Sequence, residues 1–396
     1  MAELARAAQV AWQAHGAPQV SGRLSERIDT VAAEFLTPKE MSYRFVFSPK
    51  TALENYRACG LLTSQKERTL RAAAELARPG ALTDFDGCIQ SGAQLFEKAD
   101  KGSGFSPSSL QELAACPMKY FFNKGLGLEE PDEAYSRREL SPDKRGTAYH
   151  EVLQDFYQEL LRLGVTRELF DSGVAEYIER ALAKRYTLQS GQKFGIYPLV
   201  WEMILEELRT QLVAFAQADV KQLGAFVPSY FEQQFSGLRV PGLPFALGGI
   251  IDRIDLNEKE KTFVVADYKS SKKGGNDLAK AFFTHLIFQP FLYVLAAEKW
   301  TQLSGYKAAG SCLLSIRKGY CRRDLPAAQI TQMYDKAVAF LTQLGDVIKS
   351  GTFFLNPSEL CTYCPYSRIC RKDSFTCLMR ARKSAARKSL EEARRV

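Results

Sequence analysis

Two apolar segments joined by a short polar turn constrain the fold of this chain more than any other part of it. Residues LPFALGGIIDRIDL, 243–256, and TFVVADYKSS, 262–271, are rich in β-branched and apolar residues, and NEKEK, 257–261, lies between them. Two such runs around a polar turn predict a β-hairpin. Helical patterns lie before and after it, so we expect an α/β core: a mixed sheet that carries the hairpin and is flanked by helices.

The hairpin brings acidic side chains together. If Leu256 faces Thr262 or Phe263, then Asp252 lies opposite Ala266 or Asp267, and two carboxylates stand on neighbouring strands. Like charges placed opposite each other destabilise a hairpin. A divalent cation resolves the conflict, and carboxylate oxygens suit Mg²⁺ or Mn²⁺.

Lys269 belongs to the same face as Asp267, because side chains alternate along a strand. A metal there could polarise a phosphoryl oxygen and activate a water, while Lys269 stabilises the developing charge and orients or helps to deprotonate the water. A simple ion pair on a strand would explain Asp-x-Lys alone, but the acidic partner strand favours a catalytic site. Asp255 points to the opposite face from Asp252 and is expected to be structural.

The remainder of the chain is mostly helical before residue 225. Ser106 followed by Pro107 predicts a helix start, and residues 145–164 form a strongly amphipathic pattern that ends at Gly164. The stretch 80–104 is predicted to be a connector. After the hairpin, residues 285–300 and 330–351 are predicted helices, with a strand, AAGSCLLSI, between them.

His150 is one of only three histidines and lies early in the helix of residues 145–164. A neutral imidazole could be the third protein ligand of the metal. The alternative is a hydrogen-bonded histidine at the edge of the core. The sequence RGTAYHEVL followed by the acidic hairpin favours the ligand.

Nine cysteines are present, and three of them, Cys361, Cys364 and Cys370, have the spacing C-x₂-C-x₅-C. The odd number argues against a disulfide framework, and the close trio indicates metal ligation. Four thiolates hold either a [4Fe–4S] cluster or a zinc ion. Cys116 or Cys377 could be the fourth ligand; Cys116 could also be a small buried apolar residue. We expect core or incidental roles for Cys59, Cys88, Cys312 and Cys321.

The chain has 396 residues and a formal charge of +8, which is compatible with a polyanionic partner. Lys272, Lys273 and the basic segment 376–396 could contact phosphates, or they form a solvated basic surface. The sequence lacks a phosphate-binding GxxxxGK[ST] loop, a signal-peptide pattern and a run of about 18 apolar residues. We therefore expect a cytoplasmic protein with no membrane span.

The ordered motifs SPSSLQELAACPMKYFF, RGTAYH, GGIIDRID, VADYKSS, QPFLY and CTYCPYSRIC resemble the RecB-family nuclease domain of the PD-(D/E)XK superfamily. The likeness extends over residues 106–372. It is stronger to the iron–sulfur subgroup, which includes the AddB subunit of bacterial helicase–nucleases and the CRISPR adaptation exonucleases.

The resemblance implies a restriction-endonuclease-like fold over residues 101–375, stapled by an iron–sulfur cluster, after a helical region, 1–100, and before a basic helical tail, 376–396. It also implies a role for each motif residue. His150, Asp252, Asp267 and the carbonyl of Tyr268 would bind Mg²⁺ or Mn²⁺, and Lys269 would be the catalytic lysine. Gln289 and Tyr293 match the family's Gln-x₃-Tyr helix, and Cys116, Cys361, Cys364 and Cys370 match its cluster ligands.

These features predict a metal-dependent deoxyribonuclease, acting on single-stranded ends in the processing of DNA breaks. AddB-type subunits also carry a long helicase-like region that this chain lacks, so we expect either a cut-out nuclease domain or a stand-alone relative. Its partner would be a helicase–nuclease subunit or that absent helicase-like region. Four rivals remain: a zinc-stapled nuclease without a cluster, a CRISPR-adaptation-type 5′ exonuclease, a non-catalytic DNA-binding or assembly subunit that retains the fold, and, ranked last, a metal-free structural protein.

Overall fold

A computed structural model describes residues 65, 68, 80–129, 139–164, 170–270, 275–317 and 319–395. The chain divides into two compact units: Met1–Cys88 with Arg371–Ser384, and Ile89–Cys370 with Ala385–Val396. Most of the predicted N-terminal helical region and the pair Lys272 and Lys273 lie outside the described residues. The second unit contains the sheet.

Helices and strands alternate in large blocks along the chain. The helices are α1 Gly92–Lys101, α2 Pro107–Ala115, α3 Pro117–Tyr120, α4 Pro142–Leu163, α5 Phe170–Arg185, α6 Ser190–Lys193, α7 Pro198–Gln222, α8 Leu278–Thr284, α9 Gln289–Ala297, α10 Ala327–Lys349, α11 Phe375–Lys383 and α12 Ala385–Arg394. The strands are β1 Val227–Arg239, β2 Ala246–Asn257, β3 Thr262–Lys269, β4 Lys307–Ser315 and β5 Cys321–Pro326. Short 3₁₀ segments occupy Asp84–Asp86, Thr301–Leu303 and Glu359–Tyr363, and a π-turn occupies Phe121–Gly125.

The five strands form one mixed sheet in the order β1-β2-β3-β4-β5. The pair β3–β4 is parallel and the other three pairs are antiparallel. The predicted hairpin is confirmed, with Leu256 opposite Phe263. The α/β class is also confirmed, because helices cover both faces of a mixed sheet; strand β5 was not predicted.

Alternation along β3 directs its side chains to two different layers. Val264, Ala266 and Tyr268 pack into a core built with α4, α5 and α7. Residues between them point the other way, where α9 packs on β3 and β4. Asp267 therefore lies on the α9 side of the sheet and Tyr268 on the α4 side.

The helix starts and stops follow local chemistry. The Ser106 hydroxyl accepts a hydrogen bond from the Ser109 amide at 3.1 Å, which confirms the predicted cap of α2. Helix α4 begins at Pro142, slightly before the predicted pattern, because Ser141 caps it. It ends as predicted at Gly164, whose φ of 61° is left-handed.

The prediction that residues 80–104 are only a connector is wrong. They contain helix α1, which buries Phe96 and packs on α10. Flanking glycines obscured the helical pattern, and Gly92 is required by packing. A Cβ there would lie 2.4 Å from the Gly351 amide nitrogen.

The first unit has its own buried ion pair. Arg380 of α11 lies 2.6 Å from Asp86, which follows the capping residue Thr83. Cys377 is buried on the same helix, and burial followed by a hydrogen bond with Asp86 raises the pKa of its thiol. The predicted basic helical tail consists of two helices, α11 and α12.

Among the described residues, no single helix is long and apolar enough to cross a membrane; α8 and α9 satisfy the length and composition test only as a pair, bent by 114°.

An arginine is fully buried under the hairpin. Arg253 is 0% exposed, and its guanidinium lies 2.7 Å from Asp219 on α7 and 2.7 Å from Asp255 on its own strand. It also donates to the Tyr268 hydroxyl at 3.0 Å. Asp219 in turn accepts from the hydroxyl of Tyr157. The network ties β2 and β3 to α4 and α7, and it confirms the structural role expected for Asp255.

Loss of the buried cation should be far more damaging than loss of a surface one. Arg253→Met leaves two buried carboxylates without their partner, so we expect the free energy of unfolding to fall by about 3–5 kcal/mol. Arg239→Met is the matched control, because Arg239 pairs with Asp100 at 2.7 Å but is 59% exposed; a loss below about 1 kcal/mol is expected there. Urea denaturation of both variants measures the difference, and equal losses would contradict the assignment.

Candidate active site

The strands of the hairpin separate at one end of their ladder. The last paired residues are Arg253 and Ala266, so Asp252 and Asp267, the next positions, face each other where the strands diverge. The Tyr268 amide donates to Oδ2 of Asp252 at 2.7 Å instead of to a backbone carbonyl. The carboxylate of Asp252 thus occupies the opening, as the predicted register requires.

Asp267 and Lys269 lie together on the α9 side of the sheet. Asp267 is 2% exposed, and its Oδ2 contacts the ammonium group of Lys269. That oxygen is buried and accepts no hydrogen bond of acceptable geometry. The Lys269 side chain is partly exposed, so its ammonium group can also reach a substrate.

His150 reaches the same carboxylates from α4. Its Nδ1 lies 3.6 Å from Oδ1 of Asp252, and its ring meets the Tyr268 ring edge-on, with centroids 5.5 Å apart. The histidine predicted as a ligand therefore belongs to this group of residues. Its neighbour Glu151 points elsewhere and accepts a hydrogen bond from Tyr186 at 2.6 Å.

Glu232 is a member of the site that the sequence did not reveal. Its Oε1 lies 3.3 Å from Nδ1 of His150, and β1 places it opposite Asp252, between the pairs Phe231–Arg253 and Gln233–Ile251. Its φ of 48° lies in the left-handed region, which is strained for a non-glycine residue. Irregularities at two points of the β1–β2 ladder prevented its register from being counted along the sequence.

The predicted Gln-x₃-Tyr pair of α9 also borders the site. Tyr293 is buried, and burial and the nearby charges of Asp267 and Asp252 raise the pKa of its hydroxyl. A hydrogen bond with Gln289 acts in the opposite direction but is outweighed. The tyrosine therefore keeps its proton at neutral pH and is a hydrogen-bond donor.

The crowding of charge shifts the pKa of both groups at the opening. Burial, followed by the charge of Asp267, raises the pKa of Asp252 to about 7. Burial lowers the pKa of His150, but the charge of Asp252 and the hydrogen bond with Glu232 outweigh it and raise the pKa to about 9. Both groups at the opening therefore have a raised pKa when no cation is bound.

The donor set fits a hard divalent cation. One ligand atom each from His150, Glu232 and Asp252 lies within 4.8 Å of the others. Asp267 adds a buried carboxylate oxygen that lacks a hydrogen bond. Oxygen donors with one imidazole suit Mg²⁺ or Mn²⁺. The Tyr268 amide binds Asp252, and the role of its carbonyl stays a prediction.

The predicted cysteine ligands come from two stretches of chain that meet. The side chain of Asn356 donates to the Ala115 carbonyl at 2.9 Å, and the Met118 amide donates to the Phe354 carbonyl at 3.3 Å. Burial raises the pKa of the Cys116 thiol, and the nearby Cys361 adds to the shift. All four cysteines, Cys116, Cys361, Cys364 and Cys370, are partly buried.

The two candidates for the fourth cysteine ligand fall in different compact units. Cys377 belongs to the other compact unit, whereas Cys116 lies in the same unit as the trio.

Comparison with known families agrees with this geometry. The family model described as PD-(D/E)XK nuclease superfamily matches residues 104–371. The chain belongs to the PD-(D/E)XK nuclease superfamily. The match includes every predicted site residue, from Cys116 to Cys370, and Glu232 as well.

Several curated relatives share this region, and each is named as a subunit of an ATP-dependent helicase/deoxyribonuclease. The protein of Moorella thermoacetica is 28% identical over 247 residues, which is 57% of this chain and 20% of the relative. That of Clostridioides difficile is 30% identical over 191 residues, 44% of this chain and 16% of the relative. That of Lachnoclostridium phytofermentans is 31% identical over 174 residues, 42% of this chain and 14% of the relative. The matched region thus spans a fifth or less of each relative.

The buried acid should make the cation-free protein less stable as pH rises. The pKa of Asp252 is about 7 against an ordinary 3.8, so its contribution to stability is complete below the ordinary value and is lost as pH rises through 7. For His150, the contribution is present below 6.5 and is lost as pH rises through about 9. Both groups therefore act in the same direction.

Asp252→Asn removes the acid and keeps an oxygen for the Tyr268 amide. The free energy of unfolding of the variant, measured relative to that of the native protein, should increase by about 1–3 kcal/mol when the pH is raised from 5 to 8. Urea denaturation at the two pH values, after dialysis against a chelator, measures this change. A stability difference that stays constant with pH would show that Asp252 is not a buried acid with a raised pKa.

Proposed function

We propose that this chain is a DNA nuclease that depends on Mg²⁺ or Mn²⁺. The observation that carries the proposal is the convergence of His150, Glu232, Asp252, Asp267 and Lys269 at the end of the hairpin. Three carboxylates and an imidazole around one opening call for a cation to balance their charge, and membership of a nuclease superfamily assigns the chemistry.

The residues divide between holding the cation and serving the reaction. His150, Asp252, Asp267 and the carbonyl of Tyr268 are the proposed ligands, and Glu232 is a further one. A divalent cation bound there supplies Lewis-acid stabilisation of the charge that develops on the phosphoryl group.

Lys269 acts on the other side of the reacting phosphate. Its ammonium group, held by Asp267, stabilises negative charge in the transition state and orients the attacking water. Tyr293 keeps its proton at neutral pH and donates a hydrogen bond to a phosphate oxygen. Gln289 positions the tyrosine by hydrogen bonding.

DNA is the proposed substrate, cut from a single-stranded end during the processing of DNA breaks for recombination repair. The relatives are named deoxyribonuclease subunits, and the charge of +8 favours a polyanion. Because the match covers a fifth or less of those relatives, we propose that a helicase-like region or partner subunit supplies strand separation.

The four cysteines are proposed to hold a [4Fe–4S] cluster. Four partly buried thiols and the convergence of the two chain segments support this choice. Such a cluster would fasten Cys116, at the start of the catalytic region, to the trio at its end, and so stabilise the fold.

Substitutions in the site should separate catalysis from metal binding. Asp267→Ala and Lys269→Ala are expected to lower the cleavage rate of single-stranded DNA with Mg²⁺ by at least about 100-fold, because each removes a group that acts on the transition state. Glu232→Gln is expected to raise the Mg²⁺ concentration required for half-maximal rate by about 10–100-fold. Gel assays across a Mg²⁺ series measure both effects.

Asp335→Ala, which removes an exposed carboxylate on α10, should leave cleavage unchanged. If the native protein binds DNA but never cleaves it in Mg²⁺ or Mn²⁺, the chain is a binding subunit that retains the fold. Release of products from a labelled 5′ end alone would favour the 5′-exonuclease alternative of the CRISPR-adaptation type.

The metal held by the cysteines has a direct signature. Protein purified without oxygen should be brown, absorb broadly near about 400 nm and contain about four iron atoms per chain. Cys116→Ala should lose the colour and unfold at a lower temperature, because one ligand of the cluster is removed. Cys321→Ala should keep the colour and the unfolding temperature of the native protein. A colourless native protein with one zinc ion would establish the zinc-stapled alternative.

A further inference from the structure

A groove beside the candidate active site is not explained by the catalytic residues. It encloses about 580 Å³ between α1, the start of α2, the π-turn and the β1–β2 ladder. Lys98 and Lys124 line it, both exposed, together with Ser106, Ser109 and Gln234. Its described lining contains no carboxylate, in contrast to the adjoining site.

The groove lies beside the candidate carboxylates along the β1–β2 ladder. Glu232 is opposite Asp252, between the pairs Phe231–Arg253 and Gln233–Ile251. Gln234 pairs with Ile250, so this pair lies two residues along the ladder from Glu232 and Asp252. The distance is about 6–7 Å at 3.3 Å per residue, comparable to one nucleotide of an extended strand.

The floor of the groove provides apolar surface between the polar walls. Ile250 is 44% exposed although it lies on a central strand. Phe235 is partly buried beside it, and its ring meets Tyr293 edge-on, with centroids 6.2 Å apart. A base can pack on this surface while its phosphate faces the lysines, which is how proteins bind single strands without reading their sequence.

Backbone contacts make the groove a fixed part of the fold. The Phe105 amide donates to the Ala246 carbonyl at 2.8 Å, and the Gly248 amide donates to the Phe105 carbonyl at 3.1 Å. A Cβ on Gly248 would lie 2.1 Å from the Ser103 carbonyl oxygen. The segment that begins α2 is therefore joined to β2, and the groove is already formed before a ligand binds.

We propose that this groove holds the single nucleic-acid strand that adjoins the scissile phosphate, with Lys98 and Lys124 on its backbone phosphates and Phe235 and Ile250 under a base. The proposal rests on the proposed nuclease function and adds the path of the substrate. A single strand fits because Asp252 and Asp267 are only 7% and 2% exposed. So narrow an opening favours a separated strand over the wider duplex.

The salt dependence of binding tests the two lysines without any need for cleavage. The probe is a fluorescein-labelled 12-nucleotide oligothymidine. Fluorescence anisotropy measures its binding to the protein at a series of salt concentrations from low to moderate, with a chelator present so that no cleavage occurs. The slope of log K against log[salt] for a single strand changes by about 0.7 for each phosphate contact. Lys98→Gln with Lys124→Gln should therefore make the slope shallower by about 1.4.

Lys259→Gln with Lys307→Gln is the matched control. Both lysines are exposed. They lie at the end of the sheet that carries the hairpin turn, because Lys307 pairs with Thr262, and Thr262 pairs with Asn257 on the other side. An unchanged slope in this control, with a shallower one in the groove variant, supports the proposal. Equal changes in both variants, or none in the groove variant, would overturn it.

Two further measurements separate this proposal from the proposed function. Hydrolysis of bis-p-nitrophenyl phosphate, a diester too small to reach the groove, should be equal in the native protein and the groove variant. If the native protein hydrolyses neither DNA nor bis-p-nitrophenyl phosphate, the proposed nuclease function is wrong. The salt dependence of oligothymidine binding still tests the groove in that case. Tighter binding of a 12-base-pair duplex than of the single strand, with the same loss on substitution, would refute a single-strand path.

Discussion

The buried guanidinium of Arg253 is the interaction on which the candidate site depends. It lies on the α4 side of β2, paired with Asp219 and Asp255, and it is the residue next to Asp252 on the strand. Tyr268 joins the two, since its hydroxyl binds Arg253 and its amide binds Asp252. An error in this network would therefore displace the carboxylate of Asp252.

The site concentrates negative charge that the rest of the fold must tolerate. Glu232, Asp252 and Asp267 surround one opening, and among the described residues His150 and Lys269 are the basic groups that lie against them. The raised pKa values of Asp252 and His150 reflect this excess of negative charge. A site under such electrostatic strain is suited to a divalent ion and unfavourable without one.

One continuous segment, residues 103–118, links the three functional regions. Its first residues attach to β2 and wall the proposed groove, and its last residues carry Cys116 to the cysteine loop. If the four cysteines hold the proposed cluster, its loss would loosen the groove as well. The proposed cluster would join Cys116, at the start of the nuclease region, to three cysteines at its end.

The sequence alone determined the hairpin, its register to within one residue and the face shared by Asp267 and Lys269, because strand periodicity and a short turn are local properties. It also offered His150 and the cysteine trio as ligands, whereas Gln289, Tyr293 and the full set of four cysteines came from the family resemblance.

Tertiary structure decided what local pattern could not express. Glu232 joins the site only through an irregular ladder and a left-handed backbone. Asp219 meets Arg253 from a helix 34 residues away in sequence. Lys98 and Lys124 come together only when α1 and the π-turn pack beside β2. Each of these contacts depends on how separate elements pack, and no periodicity within one element encodes it.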